Sequence, residues 1–172
     1  LQLLLATKYQ RPVSVHCVRA MGKMLDTINE VIATTSLSNQ DHDDEDQNHV
    51  LPPRMYFHAF GGKASTAIQL IRTLEKPRKG RKQKTSKSTI AKTKVYFGFA
   101  PLINFGSPKT IEVIQTVGIN RLVLETDHED IRKVGHSMNI GIEVISNALQ
   151  VTPEVLINAT NNNVKDLYRI SI

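Results

Sequence analysis

Three side chains stand where parallel α/β proteins place their chemistry. His16 closes the run Pro12-Val-Ser-Val-His16, His58 closes Arg54-Met-Tyr-Phe-His58, and Asp127 closes Arg121-Leu-Val-Leu-Glu-Thr-Asp127. Each run is apolar enough to be a buried strand. Each delivers a polar side chain where the strand leaves the core, which is where such sheets build sites. Neutral imidazole and carboxylate are ligands for zinc, manganese or magnesium. One histidine ending a core strand is ordinarily a hydrogen-bonded core residue. The same pattern at three strand ends points instead to a site for a divalent metal.

The elements that must position these groups are legible as alternating runs. Apolar stretches near 12–16, 54–58, 94–100 and 121–126 predict four parallel strands. Between them lie helical stripes. Met21, Met24, Leu25, Ile28, Val31 and Ile32 mark one, and Ala67, Ile68, Leu70, Ile71 and Leu74 a second. Ile111, Val113, Ile114 and Val117 mark a third, stopped by Gly118. A helix over 135–149 precedes Val151-Thr-Pro-Glu154, where Thr152 is placed to cap a last helix and Pro153 to occupy its first position. Gly61 and Gly62 follow His58 and permit positive φ and close approach of backbone to a ligand. Arg19 follows His16, at a place where a cation can pair with a phosphate.

His16-Cys-Val-Arg-Ala20, His58-Ala-Phe-Gly-Gly62 and Leu124-Glu-Thr-Asp127 occur in this order, at the spacings of the TatD family apart from two insertions. Over residues 5–170 the chain resembles the C-terminal part of a TatD-like metal-dependent hydrolase, one of the amidohydrolase-type (β/α)8 barrels. The resemblance implies an α/β fold, the C-terminal half of such a barrel, forming one partial domain over 1–172. A complete barrel takes about 250 residues. It also implies that His16 and His58 hold one divalent ion (zinc, magnesium or manganese). Asp127 is then the catalytic residue, binding metal and positioning or deprotonating the water. Arg19 and Gly61 would meet the substrate. The activity implied for the full-length protein is hydrolysis of phosphodiester bonds in DNA. The family's H-x-H pair and bridging Glu have no counterpart here, so the chain is expected to be a fragment lacking its first half, and inactive by itself. Two departures leave a second reading open, a TatD-like protein that binds a protein partner without catalysis. Val18 stands where the family has Arg, with Arg19 one place later, and His128-Glu-Asp130 replaces a proline-bearing loop.

The net charge of +6 suggests nucleic acid. Nine Lys or Arg and no acid lie in 76–94, so without them the charge would be −3. The basicity therefore belongs to one segment. Pro77-Arg-Lys-Gly-Arg-Lys-Gln-Lys84 suits a nuclear-import signal, a nucleic-acid arm or a solvated insertion. The acidic stretch around Asp41, Asp43, Asp44, Glu45 and Asp46 lacks the glycine and terminal Glu of a calcium loop. Segments 36–53 and 76–94 are both expected to be disordered insertions. A single cysteine, Cys17, excludes an intramolecular disulfide and fits a reducing compartment, cytoplasmic or nuclear. No apolar run approaches the roughly 18 residues of a membrane span, so no membrane partner is expected.

Overall fold

A computed structural model describes residues 1–38, 50–76, 78–79, 89–90 and 92–170. In chain order the elements are α1 (Gln2–Lys8), β1 (Val13–His16), α2 (Met21–Ser38), β2 (Arg54–His58), α3 (Ala64–Leu74), β3 (Arg78–Lys79) and β4 (Thr89–Ile90). There follow β5 (Lys94–Phe99), α4 (Pro101–Asn104), α5 (Lys109–Val117), a 3-10 turn (Ile119–Arg121), β6 (Leu122–Leu124), α6 (Ile131–Leu149) and α7 (Pro153–Tyr168). Four strands form one parallel sheet in the order β1-β2-β5-β6, as the four apolar runs predict.

Side chains alternate across the sheet with period two, and the register aligns them. Val15, Phe57 and Phe97 stand opposite one another, and Phe97 is paired with Leu122. They point into the main core with Ile28, Leu70, Leu74, Ile114 and Ile145 from the helices. Phe60 locks this layer, its ring centroid 4.9 Å from that of Phe97. Each fully buried side chain of this size stabilises the fold by about 1.5–3 kcal/mol. The other face carries Ser14, Tyr56 and Tyr96 in one row, then His16 and His58 in the next. Layered rows of this kind fill the interior of a (β/α)8 barrel.

The N-terminal ends of the strands are tied by three polar clusters. Near the end of α7, Asp166 accepts hydrogen bonds from Arg54 (2.7 Å), Lys94 (2.9 Å) and the Tyr96 hydroxyl. Arg54 and Lys94 are the paired first residues of β2 and β5. The Arg54 guanidinium beside Asp166 holds its carboxyl well below the usual carboxylate range. Burial, and then this carboxylate, push the Tyr96 phenol up. Glu75, just past α3, takes both arms of Arg121 at 3.1 and 2.7 Å and the Val95 N–H at 3.3 Å. The Asn163 amide on α7 donates to the carbonyls of Ile119 and Leu122, both at 2.8 Å. With that end closed, the C-terminal ends of the strands are left for a site.

The two expected insertions are narrower than the composition suggests. Helix α2 runs on to Ser38, and Val50 and Leu51 are 1% and 2% exposed in the core. The acidic run itself lies outside the described residues. In the basic segment Arg78–Lys79 pairs antiparallel with Thr89–Ile90, Thr93 is buried, and Lys94 opens β5. The rest of the import-like stretch also lies outside the described residues. Helix α6 begins at Ile131, four residues before the expected start, because Asp130 caps it by accepting the Arg132 N–H at 3.1 Å. Thr152 caps α7 as predicted, accepting from Val155, with Pro153 at the first position. No single helix among the described residues is long and apolar enough to cross a membrane, and α6 and α7, long enough together, are bent by 103°.

Candidate metal centre

His16, His58 and Asp127 lie at one end of the sheet. His16 and His58 are register partners ending β1 and β2, their ring centroids 5.6 Å apart. Asp127 follows β6 by three residues, and its Oδ1 is 3.0 Å from His58 Nε2.

A fourth group organises the cluster, and its sequence context alone assigned it no role. Glu125, whose side chain is 12% exposed, engages His58 Nδ1 through Oε2. The same oxygen accepts the Tyr56 hydroxyl at 2.5 Å, and Oε1 accepts the Ala59 N–H at 2.6 Å. Three partners engage this carboxylate, so it is held in place behind His58. Burial, and then the Glu125 charge, push the Tyr56 phenol far above its ordinary value, so Tyr56 stays a donor. Gly98 makes the arrangement possible. A Cβ there would fall 2.2 Å from the Tyr56 oxygen and 2.4 Å from Glu125 Oε1.

The backbone at this end is held in uncommon conformations. Arg19, Ala59 and Asp127 have φ of 52°, 43° and 56°. Non-glycine residues in the left-handed region cost about 1–2 kcal/mol and are concentrated at functional sites. The loops after β2 and β5 are stitched together next to Ala59. Buried Asn104 accepts the Ala100 N–H at 2.8 Å and donates to the Phe60 carbonyl at 3.0 Å, while the Phe60 N–H donates to the Gly98 carbonyl. The glycine pair acts differently from expectation. Neither Gly61 nor Gly62 has positive φ, and the turn uses Ala59 instead. Gly62 is needed for space, since a Cβ would meet the Phe60 ring at 2.4 Å. Arg19 and Gly61 are exposed in the loops at this end, and no hydrogen bond among the described residues joins either to the histidines or Asp127.

The donor chemistry fits a divalent ion in part. With Nδ1 engaged by a carboxylate, His58 presents Nε2 to Asp127 either as a second N–H or as a lone pair beside a cation. A carboxylate behind a ligating imidazole is the usual support of a metal-bound histidine. The 3.0 Å separation of Nε2 and Oδ1 is one that two ligands, each about 2.0–2.2 Å from a single ion, readily span. Among the described residues no group of three His, Cys, Asp or Glu is arranged to hold an ion. The fit therefore rests on the pair His58–Asp127, with His16 as neighbour.

A family model of TatD-related DNases matches residues 1–169. The chain belongs to this family. Among solved structures it is similar to YjjV, a TatD homologue from Escherichia coli K12, with a TM-score of 0.65 and 18% identity over 99% of this chain and 54% of that one. A TatD-family hydrolase from Entamoeba histolytica gives a TM-score of 0.61 and 14% identity over 96% and 53%. The Cut9-interacting protein scn1 of Schizosaccharomyces pombe is 21% identical over 99% of this chain and 49% of its own length. The TatD resemblance of the three motifs therefore stands, and the parallel sheet with its helices matches the TatD fold. The chain spans about half the length of these relatives.

Proposed function

We propose that this chain carries part of the site of a metal-dependent phosphodiesterase acting on DNA. In this reading it forms the C-terminal half of a (β/α)8 barrel in a longer protein that supplies the remaining ligands. The observation that carries the reading is the clamped imidazole, with Glu125 behind His58 and Asp127 3.0 Å in front of it. His58 through Nε2 and Asp127 would hold a divalent ion, with His16 beside them as a further candidate ligand. Such an ion, when bound, supplies a Lewis acid and a water acidic enough to attack near neutral pH.

The chain's own residues would do the rest. Glu125 stops the His58 ring from turning, and Tyr56 and the Ala59 N–H stop Glu125 from turning. Asp127 has two carboxylate oxygens, one toward His58 and one to orient the attacking water or accept its proton. Three candidate ligands are too few for two ions about 3.5–4 Å apart, so the chain alone should turn over DNA poorly.

The test is cleavage of labelled DNA by the full-length protein, with chelator and then metal add-back. Cleavage should require the metal, and Asp127→Asn should lower it by about 10²-fold or more with the fold retained. Cleavage in chelator, or full activity in the variant, refutes the mechanism. A second reading, a TatD-family protein that binds a protein partner, is favoured by the relative named for its interaction with Cut9. Absence of cleavage by intact, metal-loaded full-length protein would shift the weight to it.

A further inference from the structure

Beside the candidate ligands, on the same end of the sheet, lies a cavity of about 550 Å³ between α4 and the first half of α6. Its first α6-side residue, His128, is the sequence neighbour of Asp127. One wall is cationic. His136 neighbours Lys133 at i,i+3 and Arg132 at i,i+4 on α6, and all three line the cavity. The facing wall is apolar, built by Pro101, Leu102 and Phe105 at α4, while Ile140 adds an apolar residue on the α6 side. Leu102 is 61% exposed. No carboxylate among the described residues lines the cavity. Asp130, outside it, pairs with Arg132 at 3.0 Å, whereas Lys133 and His136 have no ion-pair partner among the described residues.

We infer that this groove binds one nucleotide of a single-stranded nucleic acid next to the bond presented to His58 and Asp127. The phosphate lies on Lys133 and His136, with Arg132 in reach, and the base lies on Leu102 and Phe105. The inference deepens the hydrolase reading and rests on it for the choice of polymer. The reason for a nucleotide is the combination of walls. Cations beside an apolar and aromatic surface are how single strands are held without base-specific hydrogen bonds. A cavity of 550 Å³ falls within the range that encloses small ligands, about 300–1,000 Å³. Of the stretch 128–130 in which this chain departs from the TatD pattern, His128 lines the groove, and the basic side chains follow it on α6.

The experiment is fluorescence anisotropy with a labelled oligothymidine, in chelator so that no metal-dependent contact contributes, over a salt series. Far-UV circular dichroism monitors the fold. The protein should bind the oligomer and prefer it severalfold over an abasic strand of equal length. The double variant Lys133→Ala/His136→Ala should bind about 10-fold more weakly. Its log–log salt slope should be shallower by about 0.7 for each phosphate that the variant no longer neutralises. Leu102→Ser should abolish the preference over the abasic strand while leaving the salt slope intact. Unchanged affinity and slope in the folded double variant overturn the inference, as does failure of the wild type to bind. Competition by inorganic phosphate as effective as the oligomer would make the groove a free-anion site and also overturn it. Because binding is read without metal, the two readings fail separately. Groove-dependent binding without any metal-dependent cleavage sinks the hydrolase alone, and cleavage with groove-independent binding sinks the groove alone.

Discussion

Replacing Gly98 by alanine should dismantle the site from beneath. The added methyl would sit 2.2 Å from the Tyr56 oxygen and 2.4 Å from Glu125 Oε1, where non-bonded heavy atoms keep roughly 3.5 Å. Tyr56 is buried among Tyr96, Val123 and Leu167, so it has little room to retreat. Glu125 must therefore leave, breaking its bonds to Tyr56, His58 and Ala59. A hydrogen bond to a charged group contributes about 1.5–3 kcal/mol, and overpacking a filled core costs about 1–3 kcal/mol. The three bonds share one carboxylate and do not add, and a displaced Glu125 regains water. A destabilisation of about 2–4 kcal/mol is expected, which at a urea slope of about 2 kcal/mol/M lowers the unfolding midpoint by about 1–2 M. Zinc binding by titration calorimetry should weaken by about 10–100-fold, as when other supports of a ligating histidine are removed. Gly135→Ala is the internal control. Nothing lies within 4 Å of its added Cβ, and in mid-helix it should stabilise by about 0.5–1 kcal/mol. If Gly98→Ala unfolds at the wild-type midpoint and binds zinc as tightly, Glu125 does not hold His58.

Asp166→Asn should destabilise the fold by about 1–2 kcal/mol at neutral pH, a figure discounted because the carboxylate is one-third exposed. Its carboxyl is held below the ordinary value of 3.8, so the stabilisation is present above that pH and lost as pH falls through the lower folded value. Urea midpoints of wild type and variant should differ constantly from about pH 5 to 8 and converge below about pH 4. Convergence near neutrality would show that the Arg54 and Lys94 contacts contribute nothing. Thr152→Ala removes the 3.3 Å cap to Val155 and should cost about 0.5–1 kcal/mol, with faster amide exchange in the first turn of α7. Unchanged exchange there would mean that Pro153 alone sets the helix start.

The sheet is readable because its strands are dense in apolar and aromatic residues and three of the four end on, or are followed within a few residues by, His16, His58 or Asp127. The period of two then puts His16 and His58 on one face without further information. Asp127 was found by the same rule, since β6 is three residues long and releases its acids at once. Glu125 was not, because its role depends on Tyr56, His58 and Ala59, 66 to 69 residues away. The available signal was parity. Glu125 shares a face with Val123, and an acid directed into a barrel interior needs partners. Gly98 carries no mark of its role in the sequence, since only the neighbouring strands reveal the space it leaves. Gly61 drew attention for backbone freedom, although the left-handed residue is Ala59, whose type carries no such mark. Val50 and Leu51 are core residues hidden in the sequence by the acidic run beside them, which dominates the local composition.

The contact between Arg54 and Asp166 has a consequence for how the protein is made. The two residues are 112 positions apart in sequence. At about 5–20 residues per second, a ribosome needs roughly 6–20 s to travel from the first to the second. Throughout that interval β2 has been synthesised, but the helix that ties its starting end has not. The Arg54 guanidinium and the apolar floor under Tyr56 stay open to solvent or to a chaperone. The bond that ties the start of β2 therefore forms only once the last turns of α7 have been made.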